Sequence, residues 1–289
     1  MKKTVSIFFL FTLLFSGIQV HAGPAGSSRA SIKAEYEHSF SARISGTSAR
    51  ISSDKYQITG KYSCFTLHYD YQNYSWDNAE DTAFGADGKN PWTGLHNISL
   101  GARKNFFLSK RWMLNLSGRV GGSFEKEVSD SFWGRADFSF IRNFDNGWSA
   151  GLGLAGFYHP VRGTVLPVVM LSYTPASRQG FSGRLGFPET SLTYNFQDNL
   201  AAKAYLGYTA RIYRLKNNSS VHPKGYFSDK AFKLGLDLEI QPIRNLSLSF
   251  GPYYLIEREL KTFNSNYKDK HKEEVKNTPG IKLDISWNF

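Results

Sequence analysis

The sequence predicts an all-β fold: a transmembrane antiparallel up-and-down β-barrel of about twelve strands, with ten or fourteen as the alternative even counts. Three observations carry this. From Tyr56 onward most of the chain falls into segments where apolar and polar residues alternate, the period of a strand with two unlike faces. The composition is aromatic and glycine-rich, with 23 Phe, 16 Tyr, 6 Trp and 26 Gly against three Met and one Cys, as tightly packed strands require. The connections alternate between short turns and long polar loops, so all the long ones fall on one rim.

The first 22 residues read as a secretory signal. Lys2 and Lys3 form a basic start, Val5 to Ile18 is apolar, and Val20-His21-Ala22 offers small residues for cleavage before Gly23. No later stretch approaches the roughly 20 apolar residues of a membrane helix, so a membrane has to be crossed by strands. The formal charge is +11, and cleavage takes two of those charges away. The excess of base comes with no recognition module and no basic helix, so no nucleic-acid partner is expected. Cys64 is the single cysteine and excludes an internal disulfide.

Residues 23–54, rich in Ser, Ala and Gly, read as a periplasmic or lumen-associated lead-in segment, with an extra hairpin as the alternative and one weak alternation around Ala34 to Phe40. The barrel is then expected over 55–289. Tyr56 to Tyr71 reads as the first strand, with a phase slip near Cys64-Phe65 that suggests a bulge. Residues 73–91 read as a long solvated loop carrying Asp77, Glu80, Asp81 and Asp87, flanked by Trp76 and Trp92. Gly94 to Lys104, Trp112 to Phe124, Phe132 to Phe140 and Trp148 to Tyr158 follow as clean two-faced strands, with Asp145-Asn146-Gly147 as a tight turn. Val165 to Tyr173 is apolar on both faces and contains Pro167, which suggests packing inside the lumen or a hydrophobic path. Two short strands flank Pro188. Ala202 to Ile212, Phe232 to Ile240 and Leu246 to Ile256 lead to a charged loop before the last strand.

That last strand places Ile281, Leu283, Ile285, Trp287 and Phe289 on one face and Lys282, Asp284, Ser286 and Asn288 on the other. Ending on an aromatic carboxylate with apolar residues at every second position, it resembles the closing strand of Gram-negative outer-membrane β-barrels. The resemblance implies an outer-membrane location after export. It also implies that these five residues are an assembly signal read by the barrel-assembly machinery, and that the surroundings are outer-membrane lipids and lipopolysaccharide. Trp112, Trp148 and Trp287 sit near strand ends, where interface aromatics belong.

The same alternation points Arg103, Arg119, Arg135, Lys203, Arg211, Lys233 and Lys282 into the lumen, together with Asp137, Asp237, Glu239 and Asp284. Bases outnumber acids, which favours a passive channel for small polar or anionic solutes. A closed structural barrel acting through its long loops is the alternative, and a lipid-modifying enzyme the third. Against an enzyme, an outer-membrane phospholipase needs His and Ser two apart on one strand, and no His-x-Ser occurs. His38-Ser39 are adjacent and Ser220-x-His222 lies in a loop. His68 and Asp70 form the best acid–base pair, read as lying under the loop after Tyr71. The acidic loop does not match a Ca²⁺-binding pattern. No catalytic residue, metal or cofactor is expected.

Overall fold

The computed structural model describes residues 30–85, 89–177 and 179–289; the signal segment and Asp87 lie outside them. The strands are β1 (Ala30–Arg43), β2 (Arg50–Tyr62), β3 (Phe65–Asp77), β4 (Gly94–Phe107), β5 (Trp112–Phe124), β6 (Phe132–Asn143), β7 (Trp148–His159) and β8 (Arg162–Tyr173). They continue as β9 (Gly180–Gly186), β10 (Glu189–Gln197), β11 (Leu200–Arg214), β12 (Tyr226–Ile243), β13 (Leu246–Phe263), β14 (Asp269–Val275) and β15 (Thr278–Asn288). Neighbours in sequence pair antiparallel, and β15 closes the ring by pairing with both β13 and β1. Closure leaves no free sheet edge at that seam. The barrel wall has 14 strands, with β14 standing outside it as a hairpin extension of β13.

Two features raise the count from the expected twelve. The segment set aside as a lead-in is largely wall: Ala30–Arg43 is β1, and β2 begins at Arg50. Its lumen-facing Lys33, Glu35 and Glu37 alternate with Ile32, Ala34, Tyr36 and His38, which share the outward face with Trp287, Ile285, Leu283 and Ile281, and a strand with a charged lumen face carries little apolar signal. The slip near Cys64 is a hairpin rather than a bulge. Tyr62 pairs with Phe65 across Ser63-Cys64, with Ser63 at φ 53°. A two-residue turn needs positive φ, and without Asn or Gly it is hard to read.

The short turns gather with Ala30 and Phe289 on one rim and the long loops on the other. The outward face is a band of half-exposed apolar side chains, including Leu67, Leu100, Val120, Leu152 and Leu234. Ile281, Leu283, Ile285, Trp287 and Phe289 all lie on this face, and Trp112 and Trp148 join Trp287 at the turn rim. Among the described residues no helix is long and apolar enough to cross a membrane.

The barrel is not a plain cylinder. Near the loop rim β11 meets β5 directly: Arg214 pairs with Phe124, and the Glu125 N–H donates to the Arg214 carbonyl at 2.8 Å. Strands β6 to β8 therefore bulge outward as a side lobe. The tip of the lobe rests on the outer face of β12, where His159 packs edge-on against Tyr226 at 5.5 Å. The Tyr226 hydroxyl donates to the Asp130 carbonyl at 3.1 Å.

The loop-rim half of the main barrel is filled. Residues 78–85 and 89–93 do not float in solvent as an acidic loop. They fold inward through a short 3-10 turn at Ala79–Asp81, and Phe84 and Trp92 are fully buried. Trp92 packs on Phe227 with ring centroids 3.9 Å apart and edge-on to Trp76 at 5.3 Å. Ile44, Ile51, Leu95, Leu215 and Leu260 complete this plug. Asp77, Glu80 and Asp81 remain exposed at its surface.

Candidate functional site

Below the plug the lumen is polar, and two of its cavities hold most of the charges expected to point inward. The first, a cavity of about 700 Å³, is lined by β1, β2, β10 to β13 and β15. Lys203, Lys233, Asp237, Glu239, Lys282 and Asp284 all line it. Its charges are mostly paired. Lys282 Nζ lies 2.6 Å from Asp237 and 3.4 Å from Asp284, and Lys33 lies 2.7 Å from Glu35 and 3.2 Å from Asp284. Lys233 pairs with Glu37, and Lys203 with Glu189 at 3.1 Å. Lys33, Glu35 and Glu37 were missed because they sit in the segment read as a lead-in, and Lys55 because it precedes Tyr56, where the first strand was read to begin. The signal for them was the alternation around Ala34 to Phe40.

The second chamber, about 490 Å³, lies against β2 to β6 and holds Arg103, Arg119, Arg135 and Asp137, with Lys61 and His68. Cross-strand register builds it: Gly101, Arg119, Arg135 and Phe157 form one inward row, and Arg103, Ser117, Asp137 and Ala155 the next. Of its arginines and its lysine only Arg135 finds a carboxylate, Asp137 at 3.3 Å. Among the described residues Lys61, Arg103 and Arg119 are in no ion pair. This wall is basic and uncompensated.

Arg211 stands at the seam between the chambers. It reaches across the lumen from β11 to Asp70 on β3, gripping the carboxylate with its guanidinium. Asp70 is fully buried and also accepts from His68 Nε2 and Asn97 Nδ2, each at 2.8 Å. The His68 Nδ1 is left to accept the Thr59 hydroxyl at 2.8 Å. From Asn97 the network runs to Ser123 at 2.8 Å and on to the Trp133 indole N–H at 3.0 Å. His68 and Asp70 thus lie inside the lumen as part of a strut, not under a rim loop, and every carboxylate lone pair facing the network is engaged. A buried carboxylate needs such compensation. The strut explains the pinch: it ties β11 to β3 through β6 at mid-lumen. No group of three or more metal-ligating side chains occurs among the described residues.

A family model described as a domain of unknown function, DUF6268, matches residues 22–288. The chain belongs to the DUF6268 family. No curated protein matches this DUF6268 chain. Among solved structures it is similar to the COG4313 outer membrane channel from Pseudomonas putida F1, at 8% identity and a TM-score of 0.43, covering 94% of this chain and 100% of that one. It is also similar to the NanC porin (9% identity, TM-score 0.37, 90% and 100% covered). A KdgM porin in complex with disordered oligogalacturonate matches at 9% identity and a TM-score of 0.36, with 89% and 99% covered. These likenesses are remote and carry nothing about what this chain binds. Its own architecture is a closed antiparallel β-barrel, apolar outside and charged within, with turns on one rim and loops on the other.

Proposed function

We propose that this barrel sits in the outer membrane with its loop rim outward and passes small anionic or polar solutes through its charged lumen. The observation that carries the reading is the uncompensated basic wall of the second chamber, Lys61, Arg103 and Arg119. Fixed charge in a narrow, low-dielectric passage concentrates counter-ions and sets selectivity. Nothing in the reading needs a catalytic group. The plug makes conduction small and gated by residues 78–93. In planar bilayers, wild-type protein is expected to show low, anion-selective conductance, and replacing residues 79–91 with a short Gly-Ser linker to raise it several-fold. Silence from both proteins, each folded, would sink the channel reading. That silence would favour a second reading, a closed barrel that acts through its loops, which the filled loop rim supports.

A further inference from the structure

The wall of the side lobe is incomplete. Strand β8 pairs with β9 only from Met170 to Tyr173, and β10 pairs with β11 only up to Glu189 and Gly207. The Tyr208 N–H makes one more bond, to the Pro188 carbonyl at 2.9 Å, and there the β9–β10 hairpin ends, partway up the wall. Above it, Arg162–Val169 of β8 and Tyr208–Tyr213 of β11 have no ladder partner across the gap among the described residues. Open edges facing hydrocarbon are costly, and they persist where they line a cavity. Pro167, which removes a donor from this edge, fits an unpaired strand.

Both faces of β8 are apolar for a reason that a simple barrel does not supply. Val165 and Val169 face outward and are well exposed, while Leu166, Val168 and Met170 face the lobe interior. Phe157 and Trp133 lie on that same inner surface, 6.2 Å apart. The register then joins this apolar floor to the basic wall: Arg135 is the cross-strand neighbour of Phe157, and the row of Arg103 and Asp137 runs on through Ala155 to Leu166. The first chamber extends up to Pro188 and Tyr208, at the base of the gap. With the loop rim filled, this gap is the side exit from the polar lumen.

We propose that the gap between β8 and β11 is a lateral port for an amphipathic acid. Its hydrocarbon chain lies along Phe157, Leu166 and Val168, and its anionic head is held by Lys61, Arg103 and Arg119. The inference deepens the solute-path reading and rests on its placement of the barrel in a membrane, but not on conduction from rim to rim. Folded full-length protein, checked by its electrophoretic shift on heating, would be titrated with laurate, lauryl phosphate, methyl laurate and inorganic phosphate. Laurate or lauryl phosphate is expected to bind at least tenfold more tightly than the ester or phosphate alone, and which of the two acids wins identifies the head group. Replacing Arg103 and Arg119 together (R103S/R119S) is expected to weaken it by about tenfold or more, the size of a lost charge-assisted contact. Equal binding of acid and ester, competition by inorganic phosphate alone, or no binding would overturn the port. In a second measurement, Val168→Cys in a Cys64→Ser background, reconstituted in vesicles, is expected to react with a maleimide carried on a lipid. Labelling by a water-soluble maleimide but not by the lipid one would show the gap closed to the membrane and overturn the proposal. A barrel that conducts yet binds no laurate loses the port alone; one that binds laurate yet does not conduct loses only the rim-to-rim channel.

Discussion

The two chambers of this lumen are both lined by charged side chains and are built on opposite electrostatic rules. In the first, Lys33, Lys203, Lys233 and Lys282 each meet a carboxylate close by, as Lys282 meets Asp237 and Asp284, and Lys55 alone of its lysines is in no ion pair among the described residues. In the second, three bases share the wall with Asp137, which is already taken by Arg135. Paired charges hold strands together across the lumen. Unpaired ones do little for stability and create a field for something else to fill. The difference separates a wall that is structural from a wall that recognises.

The largest test lies at the seam that divides them. Arg211→Leu is expected to destabilise the barrel by about 3–5 kcal/mol, because it strands the buried Asp70 carboxylate. Removing both partners (D70L/R211L) is expected to recover much of that, as read by urea unfolding in lipid vesicles. A single and double variant of equal stability would mean that the strut is not what joins β11 to β3. Next in size, Lys282→Met in the paired wall leaves Asp237 and Asp284 short of a donor and is expected to cost about 1–3 kcal/mol. The matching change in the basic wall, Arg119→Ser, is expected to leave stability within about 0.5 kcal/mol. Its effect should appear in the reversal potential, moved toward cations. If both substitutions cost the same stability, the contrast between the walls is lost. The smallest effect belongs to the loop rim. His222 stacks on His271 at 5.7 Å, and burial, with the neighbouring His271 and Lys270, holds its pKa below the usual histidine value. A histidine whose folded pKa is depressed makes no difference when neutral at high pH. It destabilises the folded arrangement as pH falls from the ordinary histidine value through the lowered one. Acidification below about pH 6 is therefore expected to loosen the contact between residues 215–225 and β14, seen as faster amide exchange there, and His222→Gln to abolish that step.

Much of this barrel was legible as period-two patterning. Trp112 to Phe124 and Ile281 to Phe289 announce their two faces because one side meets apolar surroundings and the other water. Arg103, Arg119 and Arg135 could be placed inward on that basis alone. The patterning failed where its physical premise failed. In β1 the lumen face carries Lys33, Glu35 and Glu37, and the outward face mixes Ile32, Tyr36 and Phe40 with Ala34 and His38, so Ala30–Arg43 looked like a lead-in. At Ser63-Cys64 a turn carried no turn residue. In 78–93, Phe84 and Trp92 are too few and too scattered among Asp and Asn to declare a core, and they become one only when Phe227 and Leu260 arrive from distant strands.

By itself the sequence determined the class of fold and the faces of most strands, because each rests on residues two apart in one strand. The plug, the strut from Arg211 to Asp70 and the gap beside β8 were decided by the tertiary structure. Each depends on pairs separated by more than a hundred residues, or on where a ladder stops, and alternation within a strand holds no information about either.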